Sequence, residues 1–263
     1  MKILLLAGCL MWCAAATLQA EGTSLTQELV EQKEITIACE LTQAPKPSEA
    51  LVISSAKECE NTKGTYHYKL WLPAGYLADP KKRWPCLFIA SFGGNARMGD
   101  FAPWLKENGY IVVMLVESKN GPWEPIIGNF LAAHDDVVKR VRIQEGLKIA
   151  TGFSGGSRAS TLFVQMRPGF SGLIMQGAGG PQDGKGKYLM DGVKRNQSLY
   201  VAMAVGNKDG NRKEIPVIKA LLPSSRFLAL SFEGGHASAP AEIFEKAITW
   251  IQNQNKPRLP GSR

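Results

Sequence analysis

Short, almost entirely apolar segments alternate with helical segments along most of this chain. Strand-like runs cover residues 86–90, 110–116, 148–151, 172–176, 199–205 and 227–232. Helical patterns fall between and after them, at residues 101–107, 127–141, 155–166, 212–222 and 240–253. Because strands that are apolar on both faces must be covered on both faces, the alternation predicts an α/β fold with a mostly parallel sheet and helices on both sides.

The segment before residue 86 has a different pattern. Residues 35–38, 50–54 and 66–72 are strand-like, and the last run alternates between apolar and polar side chains, as half-exposed strands do. We therefore expect an antiparallel edge formed by N-terminal strands within residues 21–65. The 263-residue chain has no repeat and no proline-rich linker, so we predict one main domain over residues 66–255 and a tail over 256–263.

Composition excludes several classes of protein. Apolar residues make up 44% and charged residues 21% of the chain, which is ordinary for a globular protein and unlike a fibrous or disordered one. The net charge of +8 comes from scattered basic pairs without interleaved aromatic residues, so we expect no nucleic-acid partner. Three separated histidines without H-x-x-x-H spacing predict no metal site, and we expect no cofactor.

The first twenty residues are typical of an export signal. Lys2 is followed by an apolar run to residue 16, and a small residue, Ala20, precedes the polar Glu21. The run is too short to span a bilayer, and no second one follows, so we expect a secreted or periplasmic protein without a stable membrane span. One alternative is a lipoprotein anchored through Cys9, which follows Leu6-Ala7-Gly8; another is a retained N-terminal anchor.

Three cysteines remain once the leader is removed. Cys86 lies in an apolar run and is expected to be a small buried side chain. Cys39 and Cys59 have polar neighbours and are able to pair in an oxidising compartment, but spacing alone leaves that disulfide open.

The segment Gly152-Phe153-Ser154-Gly155-Gly156 is the candidate catalytic motif. A nucleophile elbow is a tight turn between a strand and a helix that lifts a serine hydroxyl above the sheet. The residues two before and two after the serine must be small, and Gly152 and Gly156 meet that requirement. Since a predicted strand ends at residue 151 and a predicted helix begins at 155, we expect Ser154 to be a nucleophile.

A serine nucleophile needs a histidine base, and elimination favours His236. His67 lies within a predicted strand, and His134 lies in a helical stretch where we expect it to be solvated. His236 follows the strand at residues 227–232 in the loop Glu233-Gly234-Gly235-His236, at the carboxyl end of that strand.

The acid that orients the histidine is expected between the serine and the histidine in chain order. Asp209 follows the strand at residues 199–205 and leaves the sheet at the same end as Ser154 and His236. Asp183 and Asp191 lie in a glycine- and lysine-rich connection and are expected to be solvated. Glu214 and Glu233 are weaker alternatives, so we predict Asp209.

An oxyanion hole requires two backbone N–H groups. Gly155, directly after the nucleophile, supplies one. The loop Ser91-Phe92-Gly93-Gly94-Asn95 follows the strand at residues 86–90, and Phe92 or Gly93 is expected to supply the other.

With these motifs the chain resembles the α/β-hydrolase superfamily over residues 66–255. The segment at residues 68–76, YKLWLPAGY, is similar to secreted esterases of the polyhydroxybutyrate depolymerase and feruloyl esterase type. Ser91-Phe92 stands where those enzymes usually have His-Gly. The resemblance implies a serine hydrolase of carboxylic esters, with a small-molecule or polymeric ester as substrate. A peptidase on the same scaffold and a non-catalytic hydrolase-like binding protein are the alternatives.

The region that often carries a lid in this superfamily is poor in apolar residues here. Between residues 176 and 199 there are six glycines, and the apolar content is limited to Tyr188-Leu189-Met190 and Val193. An amphipathic lid needs several apolar residues at helical spacing, so we predict no large lid domain. The site is expected to be open and roofed at most by loops such as residues 119–130, where Trp123 is a candidate substrate contact.

Overall fold

The computed structural model describes residues 28–45 and 62–255, and these ranges contain one eight-stranded sheet. Its strands are β1 (Glu34–Leu41), β2 (Gly64–Trp71), β3 (Trp84–Ser91), β4 (Ile111–Leu115), β5 (Ile143–Phe153), β6 (Phe170–Gln176), β7 (Tyr200–Gly206) and β8 (Phe227–Phe232). The helices in these ranges are α1 (Ala102–Glu107), α2 (Trp123–Arg140), α3 (Gly155–Met166), α4 (Asp191–Arg195), α5 (Glu214–Leu221) and α6 (Ala241–Gln254).

The strand order is β1-β2-β4-β3-β5-β6-β7-β8. β1 pairs antiparallel with β2, and β2 pairs antiparallel with β4, whereas every later pair is parallel. β4 and β6 are buried along their whole length, as expected of strands covered on both faces. The predicted parallel sheet with an antiparallel N-terminal edge is confirmed.

Helices cover both faces of the sheet. On one face, α2 and α3 pack through the stacked rings of Phe130 and Phe163, whose centroids are 4.0 Å apart, and α4 and α5 add to the same core. On the other face, the ring of Phe101 stacks on that of Phe244 in α6 at 3.8 Å, beside Leu105 of α1. The loops that follow the parallel strands therefore lie at one edge of the sheet, between two layers of helices.

Two element boundaries differ from the sequence prediction by four residues or more. Helix α2 begins at Trp123, four residues before the predicted start, and includes Pro125. Proline is tolerated in the first turn of a helix because the N–H groups there have no intrahelical acceptor. Strand β5 begins at Ile143, which pairs with Trp84 ahead of an irregularity in the ladder, so the polar residues before Lys148 are also part of the strand.

The segment between β6 and β7 turns its few apolar side chains inward. Tyr188, Met190 and Val193 are buried in the same core as α2 and α3. The only helix described in this segment, α4, has five residues. These side chains therefore pack against the domain and do not form a helical lid, as predicted.

Several predictions lie outside the described residues. These are the export signal at residues 1–20 with Cys9, the strand at 50–54, the tail at 256–263, and Cys59. The Cys39 thiol is buried, 3.5 Å from the carbonyl oxygen of Tyr66, and Cys86 is buried as expected. Pairing of Cys39 with Cys59 stays a prediction.

Candidate active site

Ser154 occupies a strained turn between β5 and α3. Its backbone has φ 55° and ψ −118°, a region that residues other than glycine rarely adopt. The flanking glycines allow this turn: a Cβ at Gly152 would lie 2.4 Å from the backbone of Gly156, and one at Gly156 would lie 2.5 Å from the carbonyl oxygen of Ala90. The turn therefore has the geometry of a nucleophile elbow, pressed against β3.

A chain of hydrogen bonds joins the three residues that the sequence singled out. His236 Nε2 lies 2.9 Å from Ser154 Oγ, and His236 Nδ1 lies 2.8 Å from Asp209 Oδ2. The Asp209 side chain is 2% exposed, whereas that of His236 is 43% exposed. Because a carboxylate only accepts hydrogen bonds, Nδ1 carries the proton and Nε2 is free to accept the serine proton.

Contacts between two loops bring Asp209 and His236 together. The backbone N–H of Asn207 donates to the carbonyl oxygen of Phe232, and that of Lys208 donates to Gly234, both at 2.8 Å. A Cβ at Gly206 would lie 2.3 Å from the carbonyl oxygen of Gly235, so only glycine allows this approach. The carboxylate of Asp209 also accepts the N–H of Asn211 at 2.8 Å, which fixes its orientation.

The candidate oxyanion residues lie on two neighbouring segments. Gly155 is the first residue of α3, and Phe92 and Gly93 follow β3. The N–H of Gly93 donates to Ser91 Oγ at 3.3 Å, and the carbonyl oxygen of Phe92 accepts the N–H of Asn120 at 2.8 Å. Both segments therefore reach the elbow, and the loop that carries Phe92 is fixed by the chain after β4.

A cavity of about 580 Å³ opens beside the elbow. Its wall includes the rings of Phe92 and Phe153, which meet edge to face at 5.6 Å, together with Phe101. Arg97 and Asp100 also line it, and neither forms an ion pair with another described residue. The cavity is therefore lined by aromatic rings and by two charged side chains without an ion-pair partner among the described residues.

Trp123 does not line this cavity. It is the first residue of α2 and packs, half-buried, against the core. Its role as a substrate contact stays a prediction.

The other two histidines have different surroundings. His67 Nδ1 lies 2.8 Å from a carboxylate oxygen of Glu117, in a partly exposed pair. The expectation that His134 is solvated was wrong, because its side chain is only 6% exposed. His134 lies on the face of α2 that also carries Phe130 and Val137, and helical spacing turns all three toward the sheet.

The alternative acids take other roles. Asp183 accepts backbone N–H groups in its own exposed loop, and Asp191 pairs with Lys194. Glu233 is exposed and accepts a hydrogen bond from Asn207. None of these three is hydrogen-bonded to His236.

The sequence analysis missed Gln176, and it considered Glu214 only as an alternative acid, whereas the structure places Glu214 in a buried contact with α3. Gln176 at the end of β6 accepts the N–H of Ala239 at 3.1 Å and donates to Thr151 Oγ1 at 2.9 Å, which anchors the loop after His236. Glu214 is buried and binds Arg158 of α3 at 2.7 Å and the N–H of Gly179 at 2.9 Å. The position of Gln176 at the end of β6 indicated that it lies near the site, but the hydrogen-bond partners of Gln176 and Glu214 are distant in sequence.

The described ranges contain neither a cluster of metal-ligating side chains nor a membrane-spanning helix. Across residues 28–45 and 62–255, no group of three or more histidine, cysteine, aspartate or glutamate side chains is placed to hold a metal ion. No helix in the described part of the chain has the length and apolar content needed to cross a bilayer. Helix α2, with 18 residues, carries Asp135, Asp136, Lys139 and Arg140 in its second half.

No protein-family model and no curated protein sequence matches this chain. Solved structures do match. An S-formylglutathione hydrolase from Staphylococcus aureus matches with a TM-score of 0.57 and 14% identity, over 83% of this chain and 99% of that one. A ferulic acid esterase matches with a TM-score of 0.54 and 12% identity, over 84% and 98%.

A third match is a peptidase by name. A putative dipeptidyl aminopeptidase IV from Bacteroides ovatus matches with a TM-score of 0.53 and 14% identity, over 84% of this chain and 36% of that one. All three identities are low, so the matches bear on architecture alone. Together with the sheet order and the elbow, they show that this protein has the α/β-hydrolase fold.

Proposed function

We propose that this protein is a serine hydrolase that cleaves carboxylic esters through an acyl-enzyme intermediate. The observation that carries the proposal is the continuous hydrogen-bond chain from Ser154 through His236 to Asp209, built at the elbow. A nucleophile within hydrogen-bond reach of a base, with that base oriented by a third group, is the arrangement such chemistry requires.

The first half of the reaction forms the acyl-enzyme. Ser154 Oγ attacks the ester carbonyl carbon while its proton passes to His236 Nε2, and the carbonyl electron pair moves onto the oxygen. The N–H of Gly155 and that of Phe92 or Gly93 donate to this oxyanion. The intermediate then collapses, the carbon–oxygen bond to the alcohol breaks, and the alcohol leaves with the proton from Nε2.

The second half uses the same groups with water. His236 Nε2 takes a proton from a water molecule as the water oxygen attacks the acyl carbon. Collapse of the second oxyanion breaks the bond to Ser154 Oγ, which regains its proton from His236. Asp209 remains ionised and holds the imidazole in one orientation throughout.

A peptidase is the second candidate, because some matched structures carry that name. The puromycin-hydrolyzing peptidase from Mycobacterium tuberculosis matches over 39% of its own length, with a TM-score of 0.54 and 11% identity. The S-formylglutathione hydrolase and the ferulic acid esterase match over 99% and 98% of theirs. The whole of their scaffold thus corresponds to this chain, which supports an ester substrate over a peptide.

The test compares wild-type protein with Ser154→Ala on p-nitrophenyl esters of graded acyl length and on p-nitroanilides. We expect ester hydrolysis and covalent labelling by a fluorophosphonate in the wild type, and a loss of about 10³-fold or more in Ser154→Ala. Ser198→Ala is the matched control, because Ser198 is exposed and distant from the elbow.

Three results would count against parts of the proposal. Labelling that persists in Ser154→Ala would move the nucleophile to another serine. Faster cleavage of anilides than of esters would favour the peptidase. No turnover and no labelling in folded wild-type protein would leave a binding protein as the better explanation.

We also propose that residues 1–20 direct export. The support is the apolar run that ends before Ala20 and Glu21. N-terminal sequencing of the protein recovered from a secreting bacterial host is expected to begin at Glu21. A lipidated N-terminus at Cys9 would support the lipoprotein alternative, and an uncleaved leader would support a retained anchor.

A further inference from the structure

Asn120 lies between the two segments that carry the candidate oxyanion donors. It belongs to the loop between β4 and α2, and its backbone N–H donates to the carbonyl oxygen of Phe92 at 2.8 Å. This bond connects the loop after β4 to the loop after β3. The backbone of Asn120 therefore holds in place the segment from which the second oxyanion donor must come.

The side chain of Asn120 reaches the other segment. A Cβ built at Gly155 would lie 1.8 Å from Asn120 Oδ1, 2.6 Å from Cγ and 2.8 Å from Nδ2. The carboxamide thus fills the space that a side chain at position 155 would occupy, directly against the residue after Ser154. Glycine at this position makes room for the carboxamide of Asn120.

This carboxamide has no hydrogen bond to any other described residue, and Asn120 is exposed. Nearby polar side chains are engaged: Ser154 and Asp209 bind His236, and Gln176 binds Thr151. The terminal torsion of asparagine is soft, so rotation about the Cβ–Cγ bond presents Nδ2 or Oδ1 at little cost. A donor at this place is available to a bound substrate.

We propose that the Asn120 carboxamide is a third oxyanion donor, acting beside the N–H of Gly155 and the loop N–H of Phe92 or Gly93. The inference rests on the proposed ester hydrolysis and adds a catalytic residue to it. As negative charge develops on the carbonyl oxygen, Nδ2–H donates to it without transferring a proton. A side-chain amide in such a role typically contributes a factor of about 10²–10³ to kcat.

The experiment uses two substitutions at position 120, a neighbouring control, and the best p-nitrophenyl ester. Asn120→Ala removes the carboxamide but keeps the backbone bond to Phe92, so kcat is expected to fall about 100-fold with KM nearly unchanged. Asn120→Asp is expected to lower kcat further, because a carboxylate donates no hydrogen bond and repels the oxyanion. Lys119→Ala keeps the Cβ that lies near Gly94 and is expected to stay within about threefold of the wild type.

Affinity for a transition-state analogue separates catalysis from a structural role. A trifluoromethyl ketone ester analogue forms a tetrahedral oxyanion with Ser154, so its affinity is expected to weaken in Asn120→Ala by the same factor as kcat/KM. The melting temperature of this variant is expected to stay within about 2 °C of the wild type, since the residue is exposed.

Each outcome bears on the proposal. An active wild type with kcat within threefold in Asn120→Ala overturns the role of Asn120 and leaves the hydrolase intact. A fall in kcat without loss of analogue affinity, or with a large loss of stability, assigns Asn120 to structure and also overturns it. A folded but inactive wild type overturns the proposed function itself.

Discussion

Two histidines in this molecule each connect an aspartate to a third polar group. His236 joins Asp209 to Ser154 at the carboxyl edge of the sheet, with distances of 2.8 and 2.9 Å. His134 in α2 joins Asp135 to Lys148 of β5, with distances of 3.0 and 2.8 Å. In both, Nδ1 faces the carboxylate and Nε2 faces the third group, but the His236 side chain is 43% exposed and that of His134 only 6%.

The cluster around His134 is buried beside the middle of β5 and the amino end of β6. Three aromatic rings lie within 6 Å of its imidazole: those of Phe88, Phe130 and Phe170. Burial lowers the pKa of His134 to about 4 and that of Lys148 to about 8. Lys148 Nζ also donates to the carbonyl oxygen of Pro168 at 2.7 Å, and Arg167 binds both carboxylate oxygens of Asp135 at 2.8 Å.

The two clusters show that the third polar group, and its access to water, determines the role of an aspartate–histidine pair. A serine hydroxyl at the open edge of the sheet is accessible to substrate and can transfer its proton to the histidine. A lysine side chain donates its protons inward, to His134 and Pro168, and connects α2, β5 and the start of β6. We therefore expect the His236 cluster to serve turnover and the His134 cluster to serve stability.

The largest effect is expected from His236→Ala. Loss of the base is predicted to lower kcat/KM by about 10³-fold or more, because triad members act as a unit. The melting temperature is expected to change by no more than about 2 °C, since the ring is nearly half exposed. Ester hydrolysis and thermal unfolding of the same preparation measure both quantities.

His134→Ala tests whether the buried cluster serves stability and not turnover. A loss of turnover in folded His134→Ala equal to that in His236→Ala would show that the buried cluster takes part in the reaction.

The second effect concerns Lys148. In Lys148→Met, the buried Nε2 of His134 and the carbonyl oxygen of Pro168 lose their donor, so the free energy of unfolding is expected to fall by about 3 kcal/mol. Urea unfolding measures it, and activity per folded molecule is expected to stay within threefold. Lys139→Met, at an exposed position of α2, is the control and is expected to change stability by less than about 0.5 kcal/mol. Equal stability of the two variants would contradict a structural role for Lys148.

The two clusters also differ in how far the sequence could predict them. The elbow, the order of Ser154, Asp209 and His236, and the ends of the strands all follow from local patterns, because parallel strands deliver their loops to one edge. The burial of His134 was also readable, from its helical spacing to Phe130 and Val137. The hydrogen bond between His134 and Lys148 could not be predicted, because the position of α2 along β5 depends on packing across the whole sheet.

The third effect is a pH dependence of stability that we expect from the buried imidazole of His134. Its pKa of about 4 in the folded protein lies below the ordinary value of 6.5. As pH falls below 6.5, the unfolded chain takes up a proton that the folded protein does not, so folding becomes less favourable until about pH 4. Between pH 7 and pH 5 this corresponds to roughly 2 kcal/mol.

Urea unfolding at a series of pH values tests this slope. His134→Asn removes the titrating group and is expected to flatten the change between pH 7 and pH 5, although it lowers stability at neutral pH. The same slope in His134→Asn and wild type would assign the effect to other groups.

The smallest effect is expected at an oil–water interface, and it tests the openness of the His236 site. Lids that open at interfaces hide the nucleophile in solution. Here His236 is exposed, and the apolar side chains between β6 and β7 that a lid would use, such as Tyr188 and Met190, are buried against the domain. The hydrolysis rate of a short-chain triglyceride is therefore expected to rise smoothly through its solubility limit, changing by no more than about twofold across it. A dissolved p-nitrophenyl ester, assayed with and without the emulsion, serves as the control for inhibition by the interface itself. A sharp increase above the solubility limit would show that part of the chain covers Ser154 in solution. The contrast between exposed His236 and buried His134 would then hold only at an interface.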